Sequence, residues 1–155
     1  MRSTMVYILT NFLAFTAPSL ARAGAEGMIE GPVAAEVIRV IDGDTLLVSA
    51  RPWPQQSIEV YVRLRGIDTP ELKSKCARGQ QAAAAAKQLL EKMATGSPTV
   101  KLTHISADKY FGRIVADVAL EDGRDPAREM IAAGLAASYS GHGSKNDLCR
   151  LTGGS

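Results

Sequence analysis

Histidine and cysteine are scarce in this chain, with two of each in 155 residues. No spacing among Cys76, His104, His142 and Cys149 suits zinc. His104 falls in an alternating stretch and His142 in a Gly-rich tail, so a histidine-based metal site or general base is set aside. Long apolar runs are also missing. The longest, Met5 to Ala17, is broken by Thr10 and Asn11 and is shorter than the ~20 residues a membrane-spanning helix needs. Arg2 precedes it, and Pro18, Ser19 and the A-x-A pattern Ala21-Arg22-Ala23 follow it. That order reads as an export signal, residues 1–23, cut after Ala23. An uncleaved anchor is the competing reading; no cysteine near the cut supports a lipid anchor, and no stable membrane association is expected afterwards. An excess of charge is absent too: losing Arg2 and Arg22 from the 18 basic residues leaves 16, equal to the 16 acidic ones. Overall charge therefore does not point to nucleic acid, counts against a DNA-packaging protein, and is neutral for an enzyme that must release its product. There is no internal repeat, coiled coil or long disordered tract.

What is present makes one small domain. About 130 mature residues are enough for one core. Residues 24–33 form a flexible leader, 34–140 the globular part, and 141–155 a Gly/Ser/Asn-rich tail. Cys76 and Cys149 allow a single intramolecular pairing, and in an oxidising compartment a disulfide tying down that tail is the default; two thiols that never meet is the alternative. A monomer is expected.

Alternation dominates the globular part. Val37–Ile41 and Thr45–Ser49 read as strands joined by the Asp42-Gly43-Asp44 turn, since Asp-Gly favours hairpin turns. Ile58, Val60, Val62 and Leu64 point to one face, while Glu59, Tyr61, Arg63 and Arg65 point to the other. Burying the aliphatic set fixes where Arg63 points. Gln80–Met93, with five successive alanines, reads as a helix ended by Gly96-Ser97-Pro98. Val100–Ile105 and Ile114–Leu120 are two more strands. Asp125-Pro126 starts a second helix, with an N-cap followed by proline at its first position, and it ends near Gly134. Five short strands with an inserted helix suit a β-rich α+β fold: an OB-fold-like five-stranded barrel with two or three packed helices.

Two acidic runs carry the chemistry. Ile41-Asp42-Gly43-Asp44-Thr45 and Gly66-Ile67-Asp68-Thr69-Pro70-Glu71 place carboxylates at neighbouring strand ends, beside Arg63. Calcium takes carboxylate and carbonyl oxygens, and a phosphodiester under attack needs positive charge on its oxygens. Both needs are met here, which points to metal-assisted cleavage of a nucleic-acid backbone. Taken singly, Asp42-Gly43-Asp44 is only a turn, and an EF-hand fails because its twelfth position falls on Trp53. Trp53, Tyr61 and Phe111 can stack on bases, but packing or loop anchoring is the default role for each alone.

The strings Val40 to Leu46, Arg63 to Glu71 and Asp108-Lys109-Tyr110-Phe111-Gly112-Arg113, followed by Gly123 and Gly134-Leu135-Ala136, resemble the staphylococcal (micrococcal) nuclease family. The likeness runs from about Val37 to Tyr139, and it implies an OB-like barrel that cuts DNA and RNA with Ca²⁺, leaving 3′-phosphate and 5′-hydroxyl ends. By resemblance, Asp44, Asp68 and the Thr69 carbonyl hold the ion, and Asp42 stands behind them and orients a ligand or a metal-bound water. Glu71 positions or deprotonates the attacking water, and Arg63 and Arg113 clamp the phosphate. Lys109, Tyr110 and Tyr139 are the implied substrate contacts. The chain departs from the family pattern at Phe111, an extra residue before Gly112, and in a short C-terminal part. A barrel that binds single-stranded nucleic acid without cutting it is the main rival; a structural domain with no such partner is a third reading.

Overall fold

Five alternating strands can each hide one face, and closing them into a ring hides all five together while leaving no open edge. The computed structural model, which describes residues 27–141, shows this solution. In chain order the elements are β1 (Val33–Val40), β2 (Thr45–Arg51), β3 (Ile58–Leu64), β4 (Ile67–Asp68), α1 (Ala77–Gly96), β5 (Thr99–Ala107), β6 (Arg113–Ala119), α2 (Pro126–Ala132) and β7 (Ala137–Ser138). The ring runs β1-β2-β3-β6-β5 and closes through β5 onto β1. Every contact in it is antiparallel except β3 with β6, which are parallel. The barrel is therefore mixed, with two helices among the described residues, and the fold is the OB-like α+β expected.

Leu46, Val48, Val62, Leu64, Val100, Leu102 and Val118 fill the barrel, each at most 4% exposed. The inward face of β3 is as expected for Val62 and Leu64. Ile58, at the start of that strand, is instead exposed, because the alternation there runs out past the barrel rim. Helix α1 begins at Ala77, three residues before the expected Gln80, and stops at the expected Gly96-Ser97 boundary. Its buried positions Ala83, Ala86, Leu90 and Met93 follow the helical repeat. Helix α2 starts as expected: the Asp125 carboxylate accepts hydrogen bonds from the amides of Ala127 (2.8 Å) and Arg128 (3.4 Å), with Pro126 at the first turn.

The alanine run has a specific use. Gly43, in the β1–β2 turn, lies so close to α1 that a Cβ there would meet the Ala86 Cβ at 2.7 Å and the Thr69 Oγ1 at 2.8 Å. Small residues on both sides thus bring the acidic turn down onto the segment that carries Asp68 and Thr69. Gly43→Ala is expected to cost about 1–3 kcal/mol in denaturant unfolding, through overpacking rather than through the turn dihedrals. An unchanged midpoint would show that this contact relaxes freely.

Candidate active site

The β2–β3 register sets Thr45 opposite Arg63, and the Leu64 amide donates to the Asp44 carbonyl at 2.8 Å. Asp44 is thereby fixed at the mouth of the barrel beside the Arg63 side chain. The turn that carries it is locked by its own side chain, with Asp42 Oδ1 accepting from the Asp44 amide at 3.0 Å. After β3, Gly66 takes a positive φ of 82°, which folds the chain back so that β4 returns Asp68 to the same guanidinium. Strand β4 pairs with β7, and the Tyr139 amide donates to the Gly66 carbonyl, which brings Tyr139 to the rim.

Arg63 links the two acidic runs. Its Nη1 lies 2.8 Å from both Asp44 carboxylate oxygens, and its Nη2 donates to Asp68 Oδ1 at 3.0 Å and to the Ile67 carbonyl at 3.2 Å. The Thr45 hydroxyl (2.9 Å) and the Thr69 amide (3.4 Å) donate to Asp44 as well. Asp44, Asp68 and Thr69 are all buried. Burial opposes the charge of Arg63, but Asp44 and Asp68 more than offset it and raise its pKa further, so it stays a cation.

Asp44 responds differently. Burial pushes its carboxyl up to about 6; Arg63 pulls downward and nearby Asp42 adds to the rise. The Asp44 carboxylate is thus short of positive charge, which fits a divalent cation held by hard oxygens. Among the described residues no three His, Cys, Asp or Glu side chains form a closed metal cage. The two buried carboxylates, Asp44 and Asp68, are hard oxygen donors, a chemistry closer to calcium than to zinc.

The raised value has a pH consequence. Because the folded pKa exceeds the usual 3.8, the stabilisation linked to protonated Asp44 is complete below about pH 4 and is lost as pH rises through about 6. In chelator at pH 7.5 the folded state then carries a penalty on the order of 3 kcal/mol. Asp44→Asn is expected to flatten the stability profile between pH 4 and 7.5 in chelator, read by urea unfolding. A variant with the parent's pH profile would remove Asp44 from this role.

The second arginine stands across the opening. Arg113 opens β6, and its Nε donates to Asp108 Oδ2 at 2.5 Å. The Tyr110 ring lies 4.8 Å from the Arg113 guanidinium carbon and 5.0 Å from Lys109 Nζ. Partial burial works against the Asp108 charge, but Arg113 and the amides of Lys109 and Tyr110 outweigh it and hold its pKa below the usual carboxylate range. With Nε held by Asp108, the orientation of the guanidinium is set.

One cavity of about 870 Å³ gathers these parts. Asp42, Asp44, Arg63, Thr69, Glu71, Lys109, Tyr110, Arg113 and Tyr139, all singled out in the sequence, line it. Asp68 does not line it and reaches it through Arg63. Cys76 occupies the N-cap position of α1 without a side-chain capping bond and is not free; Cys149 and His142 lie outside the described residues, as do residues 1–26.

The structure adds two residues and corrects one. Asp108 stood inside a quoted motif without a role, and only the fold shows it holding Arg113. Arg65 also lines the cavity, tied to Ser106 Oγ and the Val115 carbonyl, both at 3.0 Å, and 3.4 Å from Asp117. Its place on the Arg63 face was the available signal. His104 sits at the barrel rim, at a β5 bulge with a positive φ of 47° and Nδ1 2.7 Å from Asp117. Phe111 does not pack or anchor anything: it is fully exposed at the tip of its loop.

The comparisons agree with this geometry. None of the curated proteins compared with the chain matches it. The family model for the staphylococcal nuclease homologue matches residues 61–150, more than half of the chain. The match takes in Arg63, Asp68, Thr69, Glu71 and Arg113, while Asp42 and Asp44 precede it and are brought to the same cavity by the β1–β2 hairpin. The chain belongs to the staphylococcal nuclease homologue family.

Proposed function

We propose that this protein is an exported, calcium-dependent nuclease that hydrolyses DNA and RNA without regard to the sugar. The observation that carries the reading is the convergence of Asp44, Arg63, Glu71 and Arg113 on one cavity from separate stretches of chain. Asp44, Asp68 and the Thr69 carbonyl would hold Ca²⁺, which supplies positive charge against the phosphate and lowers the repulsion of an incoming nucleophile. The protein's own groups do the rest. Arg113 would donate paired hydrogen bonds to phosphate oxygens, and Arg63, whose terminal nitrogens here hold Asp44 and Asp68, would reach the phosphate only as the cation takes over those carboxylates; both stabilise the charge that collects there in the transition state. Glu71, exposed at the rim after Pro70, takes a proton from the attacking water. The water oxygen bonds to phosphorus, the P–O5′ bond breaks, and the departing oxygen takes a proton from solvent, leaving 3′-phosphate and 5′-hydroxyl ends.

Export accords with the metal, because calcium sites of about 10⁻⁴–10⁻³ M affinity fill outside the cytosol. Among the described residues no helix is long and apolar enough to cross a membrane. On this reading the exported product begins at Gly24 and its Cys76–Cys149 bridge leaves no alkylatable thiol until reductant is added. Intact-mass spectrometry checks both points, and a chain retaining residues 1–23 or two reactive thiols would reject them.

The test of the activity is incubation of the mature protein with plasmid and with single-stranded DNA, in calcium or in chelator, followed by end analysis. Calcium-dependent cutting to 3′-phosphates is expected. A mobility shift without cutting would replace the enzyme by a binding module, and neither result would leave a structural domain.

A further inference from the structure

Phe111 is the residue least explained by folding. Its loop, between β5 and β6, is braced on every side but one. The Asp108 amide donates to the Arg113 carbonyl at 3.2 Å, and the Arg113 amide donates to the Tyr110 carbonyl at 3.3 Å. Asp108 Oδ1 accepts from the Lys109 amide at 2.6 Å, and Gly112 takes the positive φ of 79° that closes the turn. These bonds eject residue 111 from the barrel. Tyr110 turns back beneath Arg113, whereas Phe111 is 109% exposed, more than any other large apolar residue described. A wholly exposed phenyl ring gains nothing from the hydrophobic effect until something covers it.

What surrounds it limits what that can be. Lys109, Arg113 and Arg65 line the adjoining cavity, and Tyr61 stands in register with Arg113 across the β3–β6 contact and is 39% exposed. Cations beside exposed rings on a firm support are the combination that binds single strands: the charges follow the phosphates and the rings take the bases. A duplex keeps its base faces stacked, so only an unpaired base has a face free for the ring. We propose that Phe111 is a stacking post for an unpaired base of a strand that enters the adjoining cavity. The inference rests on the nuclease reading above and deepens it.

Glu71→Gln protein provides the measuring background, since its target stays intact during titration. It is titrated with a labelled oligothymidylate of about 12 nucleotides, within the span such sites cover, and with a duplex of the same length. Phe111→Ala is expected to weaken single-strand binding about 5- to 150-fold, the size of one lost stack, and to leave duplex binding unchanged. Phe111→Trp restores it. The loss persists at high salt, unlike that of Lys109→Ala, which salt screens away. Equal single-strand affinity with and without the ring would overturn the inference while wild-type cutting leaves the nuclease reading intact. A change in oligomeric state on Phe111→Ala, with DNA affinity untouched, would also overturn it and assign the ring to a protein contact. Failure of the wild type to cut, together with failure of the background protein to bind either strand, would overturn both.

Discussion

Arg113→Lys is expected to lower kcat/KM by 10²–10³, about 2.7–4 kcal/mol of transition-state stabilisation, while the protein stays folded. The reason lies in how Arg113 is held. Its Nε is committed to Asp108 and its plane is set over the Tyr110 ring, so its terminal nitrogens are free to meet two oxygens of one phosphate. A lysine has a single ammonium on a flexible stem: it can reach Asp108 or the phosphate, but cannot hold both in a fixed plane. Arg63→Lys should lose activity on the same scale and also lose stability, because Arg63 balances Asp44 and Asp68 in a buried setting. The two variants are therefore distinguishable by denaturant unfolding. Near-wild-type turnover in Arg113→Lys would remove that side chain from phosphate recognition, and near-wild-type stability in Arg63→Lys would show that the carboxylates do not depend on its fork.

The parts of this site that were readable in the sequence are those set by local rules. Alternation in Ile58–Leu64 chose the face of Arg63, because Val62 and Leu64 had to be buried. The Asp-Gly turn and the Asp125-Pro126 cap are decided within a few residues, and both stand where expected. Long-range register was not readable. Strands β4 and β7 are two residues each and pair across a separation of about 70 positions, too short for any periodicity, yet their pairing brings Tyr139 to the cavity. The tie between Asp108 and Arg113 depends on the turn geometry around Gly112. Arg65 depends on the β3–β6 and β5–β6 contacts that place Val115 and Ser106 beside it. Gly43 was legible as a turn residue, but its second task, admitting Ala86 and Thr69, appears only once α1 has docked. Phe111 was misjudged for a related reason: packing is the sound default for a lone aromatic, and only the braced turn shows that this one has nothing to pack against.

Glu71→Gln is expected to cost 10²–10⁴ in kcat, the range for loss of a positioned general base, with KM and stability close to those of the parent. The substitution keeps the size and shape of the side chain and removes its negative charge, and with it its capacity to take a proton. Glu71 is exposed on a turn after Pro70, where its carbonyl accepts the Ser74 amide at 3.0 Å, and no buried charge is created or removed. If the carboxylate acts on the attacking water, hydroxide from solution replaces it increasingly as pH rises, so the deficit of the variant should shrink between pH 7 and 10. A residue that only shaped the turn would give a deficit independent of pH. Full activity at pH 7, or a constant deficit across that range, would exclude Glu71 as the base and leave the two arginines and the bound cation to carry the reaction.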